Sequence, residues 1–307
     1  MLYGHGKVIL FGEHAVVYGH PALAMAAPRG AEVTFQPASS GSPTTLHIEP
    51  WNVDVDTAAA DNLGREPLQQ ALRAVRTFFD DDREFSLHAV MRLPSGAGMG
   101  SSAALGVAVL RALYAARGRV RSDAEIYQLS LAWERVFHGN PSGVDNAMAT
   151  YGGLAVFRKD APLLRIVPRH CIRLLAGYSG SSSGTKEMVQ SVAHQREREP
   201  ERVDKLFGAI AAIVSNGKLA IEQGDLKSLG QLMTMNHKLL AGLMLSTDAL
   251  EEMNEAAMNA GALGAKVTGA GGGGCMIALV DSDERHAAVK AALIGLGKTV
   301  YEVESGS

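Results

Sequence analysis

Glycine is the feature that most limits what this chain can fold into, because it is concentrated rather than spread. The 34 glycines cluster near 4–19, 96–106, 177–184 and 261–274. Each costs backbone entropy on folding, so a cluster marks backbone that turns sharply or approaches something closely. Leu93 to Leu105 reads L-P-S-G-A-G-M-G-S-S-A-A-L, straight after a strand-like run and straight before a helix-like one. Val267 to Cys275 reads V-T-G-A-G-G-G-G-C, with five glycines in six positions. Any fold for this chain must place two such loops where a side chain would be in the way.

The rest of the pattern supplies strands and helices around them. Apolar runs at 7–11, 15–18, 31–36, 45–49 and 86–93 read as strands. Leu68, Leu72, Val75 and Phe79 share a helical face within 62–79. Helices are expected at 101–117 and at 122–137, where Ser122 and Glu125 form an S-x-x-E capping box. Strands resume near 153–157 and 172–178. Beyond 185 the spacing is mostly helical, at 185–196, 201–222, 226–241 and 247–260, with the charged 196–202 stretch as a solvated junction. A strand, the second glycine loop at 269–274, a strand at 275–280 and a helix at 284–295 close the chain. Strands with helices first, then helices with a few strands, predict an α+β fold. A boundary near 165–175 gives domains at 1–170 and 171–307.

Charge excludes some classes of partner. Net charge is −3 and the isoelectric point is near 6.4, which gives no electrostatic reason to bind nucleic acid or an anionic membrane. Any polyanion site must be local. Cys171 and Cys275 are the only cysteines and lie far apart, so neither a disulfide framework nor a zinc knuckle is indicated. The N-terminal apolar run breaks at Gly12 and Glu13, unlike a signal peptide, and no run of about 18 apolar residues could span a bilayer. A cytoplasmic protein is expected.

The 96–102 loop is either a serine-capped turn or a cradle for phosphate, since a helix N-terminus offers unpaired N–H groups and partial positive charge. It is not G-x-x-x-x-G-K-[ST], and Ser101 stands where G-x-G-x-x-G would need its third glycine. The 269–274 loop is a tight crossover, or backbone packed against a ligand or the first loop. Glu134 sits at the edge of an apolar helix face, as a boundary residue paired with a basic neighbour or as a ligand for Mg²⁺. Asp145, in N-P-S-G-V-D-N-A, is a turn or cap residue or a group near a reacting hydroxyl. Lys7, Glu13 and His14 put charge inside apolar runs, which is costly unless the charges are paired. Phosphoryl transfer from ATP to an alcohol needs amides and Mg²⁺ around the phosphates, a cation at the transferred group and a carboxylate near the acceptor. The 96–102 loop, Ser102 with Glu134, Lys7 and Asp145 are candidates for these parts.

Three segments together identify a family resemblance. K-V-I-L-F-G-E-H-A-V-V-Y-G (7–19), P-S-G-A-G-M-G-S-S-A-A (94–104) and K-V-T-G-A-G-G-G-G-C (266–275) resemble, in order, the three motifs of the GHMP kinases. The first motif, E-R-V-F-H-G-N-P-S-G-V-D-N-A-M-A-T-Y-G-G (134–153) and M-N-H-K-L-L-A-G-L (235–243) are most similar to the branch that phosphorylates mevalonate. The resemblance implies two domains with the active site in the cleft between them. It implies that Gly96, Ala97, Gly98, Met99, Gly100, Ser101 and Ser102 wrap the ATP phosphates, with Ser102 and Glu134 on Mg²⁺. Asp145 and Lys7 would be catalytic, and Glu13, His14 and Thr185 would face mevalonate. Gly269, Gly271, Gly272 and Gly273 would form a structural loop. Phosphomevalonate or a sugar is the alternative acceptor, and a homodimer is a family-level expectation. The chain departs from the family at Gly4-His5-Gly6, where Ala-Pro-Gly is usual, and at Ser95, where proline is commoner. A kinase-like sensor without turnover would be expected to lack Lys7, Glu134 or Asp145, and all three are present.

Overall fold

The computed structural model describes residues 2–58, 66–94, 96–139 and 141–305. In chain order the elements are β1 (Tyr3–Phe11), a 3₁₀ turn (Ala15–Tyr18), β2 (Ala22–Pro37), β3 (Thr45–Glu49), β4 (Val53–Asp56), α1 (Glu66–Arg76) and β5 (Phe85–Met91). There follow α2 (Ser101–Ala115), α3 (Asp123–His138), α4 (Val144–Tyr151), β6 (Leu154–Phe157), β7 (Leu164–Arg165) and β8 (Arg173–Ser182). The chain ends with α5 (Thr185–Arg198), α6 (Pro200–Gln223), α7 (Leu226–Gly242), α8 (Asp248–Asn259), β9 (Gly264–Thr268), β10 (Gly273–Val280), α9 (Asp283–Gly295) and β11 (Thr299–Glu304). This is the expected α+β class.

Two compact units form, and they interleave along the chain. One comprises Met1–Gly6, Arg29–Ser95 and Gly100–Gly152; the other comprises Lys7–Pro28, Gly96–Met99 and Gly153–Ser307. Packing therefore does not follow a single cut at residue 170. The reason is hydrogen bonding: Ile9 N donates to Thr268 Oγ1 at 2.9 Å, and that hydroxyl donates to Ile9 O at 3.0 Å. The end of β1 is bound to β9, more than 250 residues away.

In the first unit β3 lies between β4 and β5, antiparallel to the former and parallel to the latter. The later half of β2 pairs antiparallel with β5, from Ala31 opposite Met91 to Pro37 opposite Phe85. On the helical side α1 packs on α3, and α2 packs on α3 and α4. The α2 helix is buried on nearly every side, which suits its run of Ala, Val and Leu. Trp133 of α3 is fully buried against Gly106 of α2, where a Cβ would stand 2.6 Å from the indole. Arg111 of α2 donates to Thr150 O (2.9 Å) and Asp123 Oδ1 (2.6 Å), tying α4 to the start of α3.

In the second unit an antiparallel sheet runs β11-β8-β10-β9. Helices α5 to α9 cover it through a core that includes Phe207, Leu240, Met253, Met276 and Leu293. Gly217 in α6 leaves room for the Phe11 ring. Cys275 is buried in β10, and burial pushes its thiol up to about 12; Cys171 is exposed.

Several local expectations are corrected. Residues 15–18 form a 3₁₀ turn rather than a strand, because the chain reverses between His14 (φ 59°) and Gly19 (φ 84°). The strand expected at 31–36 is the later part of a 16-residue strand, β2. Asp145 lies on a short helix, α4, rather than in a turn. Of the 62–79 helix, Glu66–Arg76 is helical, and 62–65 lie outside the described residues. No helix among the described residues is long and apolar enough to cross a membrane.

Candidate functional site

The first glycine loop turns at every second residue. Gly96, Gly98 and Gly100 have φ of 71°, 77° and 73°, while Ala97 and Met99 between them do not adopt positive φ. Anion-binding nests alternate left-handed residues with right-handed ones, and the loop supplies a positive φ at every second position. Only glycine adopts the left-handed conformation cheaply, which explains the spacing G-A-G-M-G. The loop delivers the chain into α2, whose N-cap is Gly100 itself and whose first turn contains Ser101 and Ser102.

Ser102 Oγ donates to Glu134 Oε1 at 2.6 Å. Glu134, on α3, is 1% exposed, and His138 one turn later brings Nε2 to 3.3 Å from its other oxygen. The helix edge thus turned a carboxylate inward to a hydroxyl at the head of α2. In the same unit Asp145 occupies the first turn of α4 behind Gly143 (φ 89°) and is half-buried. Its neighbour Asn146 donates to Ser130 Oγ at 2.9 Å, which fixes the rotation of α4 about its axis.

The second unit holds the other candidates. Lys7 is 3% exposed; its N–H donates to Met99 O and its ammonium to Gly98 O, each at 2.9 Å. The lysine is therefore clipped to the glycine loop by both its backbone and its side chain. The second glycine loop packs on the same segment. A Cβ on Gly269 (φ 85°) would lie 3.2 Å from Gly98 O, and one on Gly274 would lie 3.2 Å from Ala97 O. Of the alternatives left open for this loop, contact with the first loop is the one realised. Gly271 and Gly272 serve differently, one against Leu245 and the other against Met188 and Ser183. Ser183 donates from both N–H (3.1 Å) and Oγ (2.8 Å) to Gly272 O. That contact holds the start of α5, where Thr185 stands exposed.

Glu13 and His14 follow β1 and are both buried. Glu13 Oε1 accepts from Lys266 Nζ in a close ion pair, and Oε2 accepts from Asn236 at 3.2 Å. Lys266 also donates to Ile9 O and Val267 O. Burial lowers its pKa, against the pull of Glu13. His14 Nε2 lies 2.8 Å from Ala270 O; a carbonyl only accepts, so Nε2 carries the proton and Nδ1 keeps a lone pair. Burial lowers the His14 pKa, with the Ala270 bond opposing, which favours that neutral form. Lys266 and Asn236 were not singled out from sequence. The available signal was the one used for Lys7: a charge inside an apolar strand, here A-K-V-T.

Comparison with known proteins places the chain in a family. The model for the GHMP kinases N-terminal domain matches residues 67–153, and that for the C-terminal domain matches 218–298. A mevalonate kinase from Pyrococcus horikoshii is 35% identical over 94% of this chain and 91% of its own. One from Schizosaccharomyces pombe is 29% identical over 98% and 88%. Among solved structures, L. major mevalonate kinase in complex with R-mevalonate superposes with a TM-score of 0.86 at 29% identity, covering 99% of this chain and 96% of that one. A near-full-length relative above 30% identity, two matched domains and three motifs in order lead to one conclusion: the chain belongs to the GHMP kinase family, among its mevalonate kinases.

Proposed function

We propose that this chain transfers the γ-phosphoryl group of ATP to the 5-hydroxyl of (R)-mevalonate, giving 5-phosphomevalonate and ADP. The observation that carries the reading is the 35% identity to a mevalonate kinase over 94% of the chain. Phosphomevalonate and sugars are not favoured as acceptors. The likenesses to phosphomevalonate kinase and galactokinase structures, at 21% and 19% identity, concern the fold alone.

In this reading the nest at 96–100 and the N–H groups of Ser101 and Ser102 bind the ATP phosphates. The Lys7 ammonium, held at the loop by Gly98 O, neutralises charge on the transferred group. Asp145 accepts or orients the proton of the attacking hydroxyl. The hydroxyl oxygen then bonds to the γ-phosphorus as the bond to the ADP oxygen breaks. A divalent cation fits Ser102 and Glu134, because a hydroxyl and a buried carboxylate 2.6 Å apart are hard oxygen donors of the kind Mg²⁺ takes beside phosphates. Mg²⁺ bound there supplies charge neutralisation. His14, neutral and anchored on Ala270, presents Nδ1 as an acceptor for a substrate hydroxyl, and Thr185 adds a hydroxyl at the start of α5. Lys266 and Asn236 each hold one oxygen of Glu13, which fixes the carboxylate beside the turn that carries His14, and a carboxylate keeps further lone pairs for a substrate hydroxyl.

ADP release with Mg·ATP, measured against (R)-mevalonate, 5-phosphomevalonate, galactose and homoserine, tests the substrate. Turnover with mevalonate alone is expected; faster turnover with any other acceptor overturns the assignment. Asp145→Asn and Lys7→Met should each lower kcat by roughly 10²- to 10⁴-fold. Near-normal turnover in both would remove the roles given to them.

A further inference from the structure

Outside the kinase residues, the first unit carries a second group of metal-ligating side chains. His47, Glu49 and His88 each offer a ligand atom, and these atoms lie within 4.8 Å of one another. The sheet builds the group. His47 on β3 is directly opposite His88 on β5 in the parallel register, and Glu49 is two residues further along β3 on the same face. On the other side His47 is directly opposite Asp54 of β4. A row across three strands thus reads Asp54, His47, His88, with Glu49 beside it.

The donor atoms point the right way. Asp54 Oδ1 accepts from His47 Nδ1 at 2.7 Å, so Nδ1 carries a proton and Nε2 is the nitrogen left for a ligand bond. A carboxylate behind a histidine in this way is the usual outer partner of a metal-bound imidazole; it fixes the tautomer and the ring orientation. The Nε2 atoms of His47 and His88 stand 3.6 and 3.3 Å from the same oxygen, Glu49 Oε1. Ligands about 2.0–2.1 Å from a tetrahedral ion are about 3.4 Å apart, so both imidazoles already stand near the required spacing from the carboxylate, and all three donor atoms lie within 4.8 Å of one another. The imidazoles are stacked, with centroids 5.4 Å apart and planes 14° apart.

We propose that His47, His88 and Glu49 form a surface site for a borderline divalent transition ion, Zn²⁺ first, with Asp54 as the outer partner of His47. Two imidazoles and one carboxylate disfavour Mg²⁺ and Ca²⁺, which take oxygen ligands, and suit Zn²⁺, Co²⁺, Ni²⁺ or Cu²⁺. Three protein ligands leave the fourth tetrahedral position to water. The ion would cross-link β3 to β5 and stabilise this unit by mass action.

Equilibrium dialysis of the intact protein against ZnCl₂, with millimolar Mg²⁺ present, tests the site. One tightly held Zn²⁺ per chain is expected in the wild type and is lost in the His47→Ala/His88→Ala double variant. Asp54→Asn should weaken binding about 10- to 100-fold. Zn²⁺ should raise the wild-type Tm by several degrees and leave the double variant unmoved. Co²⁺ should give the intense visible bands of a tetrahedral ion in the wild type alone. Turnover with Mg·ATP should be unchanged in the double variant, and its metal-free melting curve reports whether it folds. If it does not fold, Glu49→Gln serves instead and should weaken Zn²⁺ at least tenfold. Equal Zn²⁺ binding by wild type and variants would assign the ion to other groups such as Cys171 and overturn the proposal, as would the lack of any tight Zn²⁺.

Discussion

At the residue scale the decisive cases are charges with no water around them. Lys266 and Glu13 are fully and almost fully buried, and their pairing converts two costly groups into a clamp between the end of β1 and β9. Removing one partner strands the other. Lys266→Met should cost about 3–5 kcal/mol in urea unfolding, and adding Glu13→Gln should return much of it, because a buried neutral pair is far cheaper than a lone buried charge. His14 gives a pH signature. Its folded pKa is lowered from 6.5, so below that pH the unfolded chain binds a proton that the folded chain refuses. Stability therefore falls as pH drops below about 6.5 and is unaffected by this group above it. His14→Asn, which tolerates the positive φ, should flatten the loss of Tm between pH 7 and 5. Unchanged steepness would mean that other groups set the acid limb. Lys7 was legible in the sequence as a charge that needed a reason. The identity of its acceptor, a carbonyl 91 residues on, was not, because sequence spacing carries no information about a contact closed by tertiary folding.

At the element scale, length and neighbours decided what could be read. The long helices α6 and α7 repeat their apolar pattern over many turns, and α3 announces its start through Ser122 and Glu125, whose reciprocal capping bonds are both made. The short α4, with eight residues, shows barely two turns of periodicity and follows Gly143, so it passes for a loop. Ala15–Tyr18 has the β-branched and aromatic content of a strand, but His14 and Gly19 bend the chain at both ends. In β2 the stretch A-M-A-A-P-R-G falls before the strand expected at 31–36. The strand nevertheless runs through it, changing partners from β6 to β5. Helix packing supplies its own test. Gly→Ala on an exposed helix gains up to about 1 kcal/mol. Gly106→Ala should do the reverse, losing about 1–3 kcal/mol by overpacking against Trp133, as read from the shift in the urea midpoint. A gain in stability there would show that α2 and α3 can move apart at no cost.

For the whole molecule the α+β class was readable from the order of elements, and the family from three short motifs. The interleaving of the two units was not, since nothing in residues 7–28 marks them as partners of β9 and of the second glycine loop. One consequence concerns fragments. Residues 171–307 expressed alone would keep Lys266 without Glu13 and Thr268 without Ile9. We expect no cooperative melt by calorimetry; a sharp transition would mean that this part forms its core without β1. A second consequence concerns the order of events during synthesis. Ile9 leaves the ribosome 259 residues before the threonine that binds it. At about 5–20 residues per second the interval is roughly 15–50 s. Throughout it Ile9 lacks the side chain that holds both its N–H and its carbonyl. A clasp between residues so far apart closes only after nearly all the stretch between them has been made, so the end of β1 is completed late in synthesis however early its other neighbours arrive.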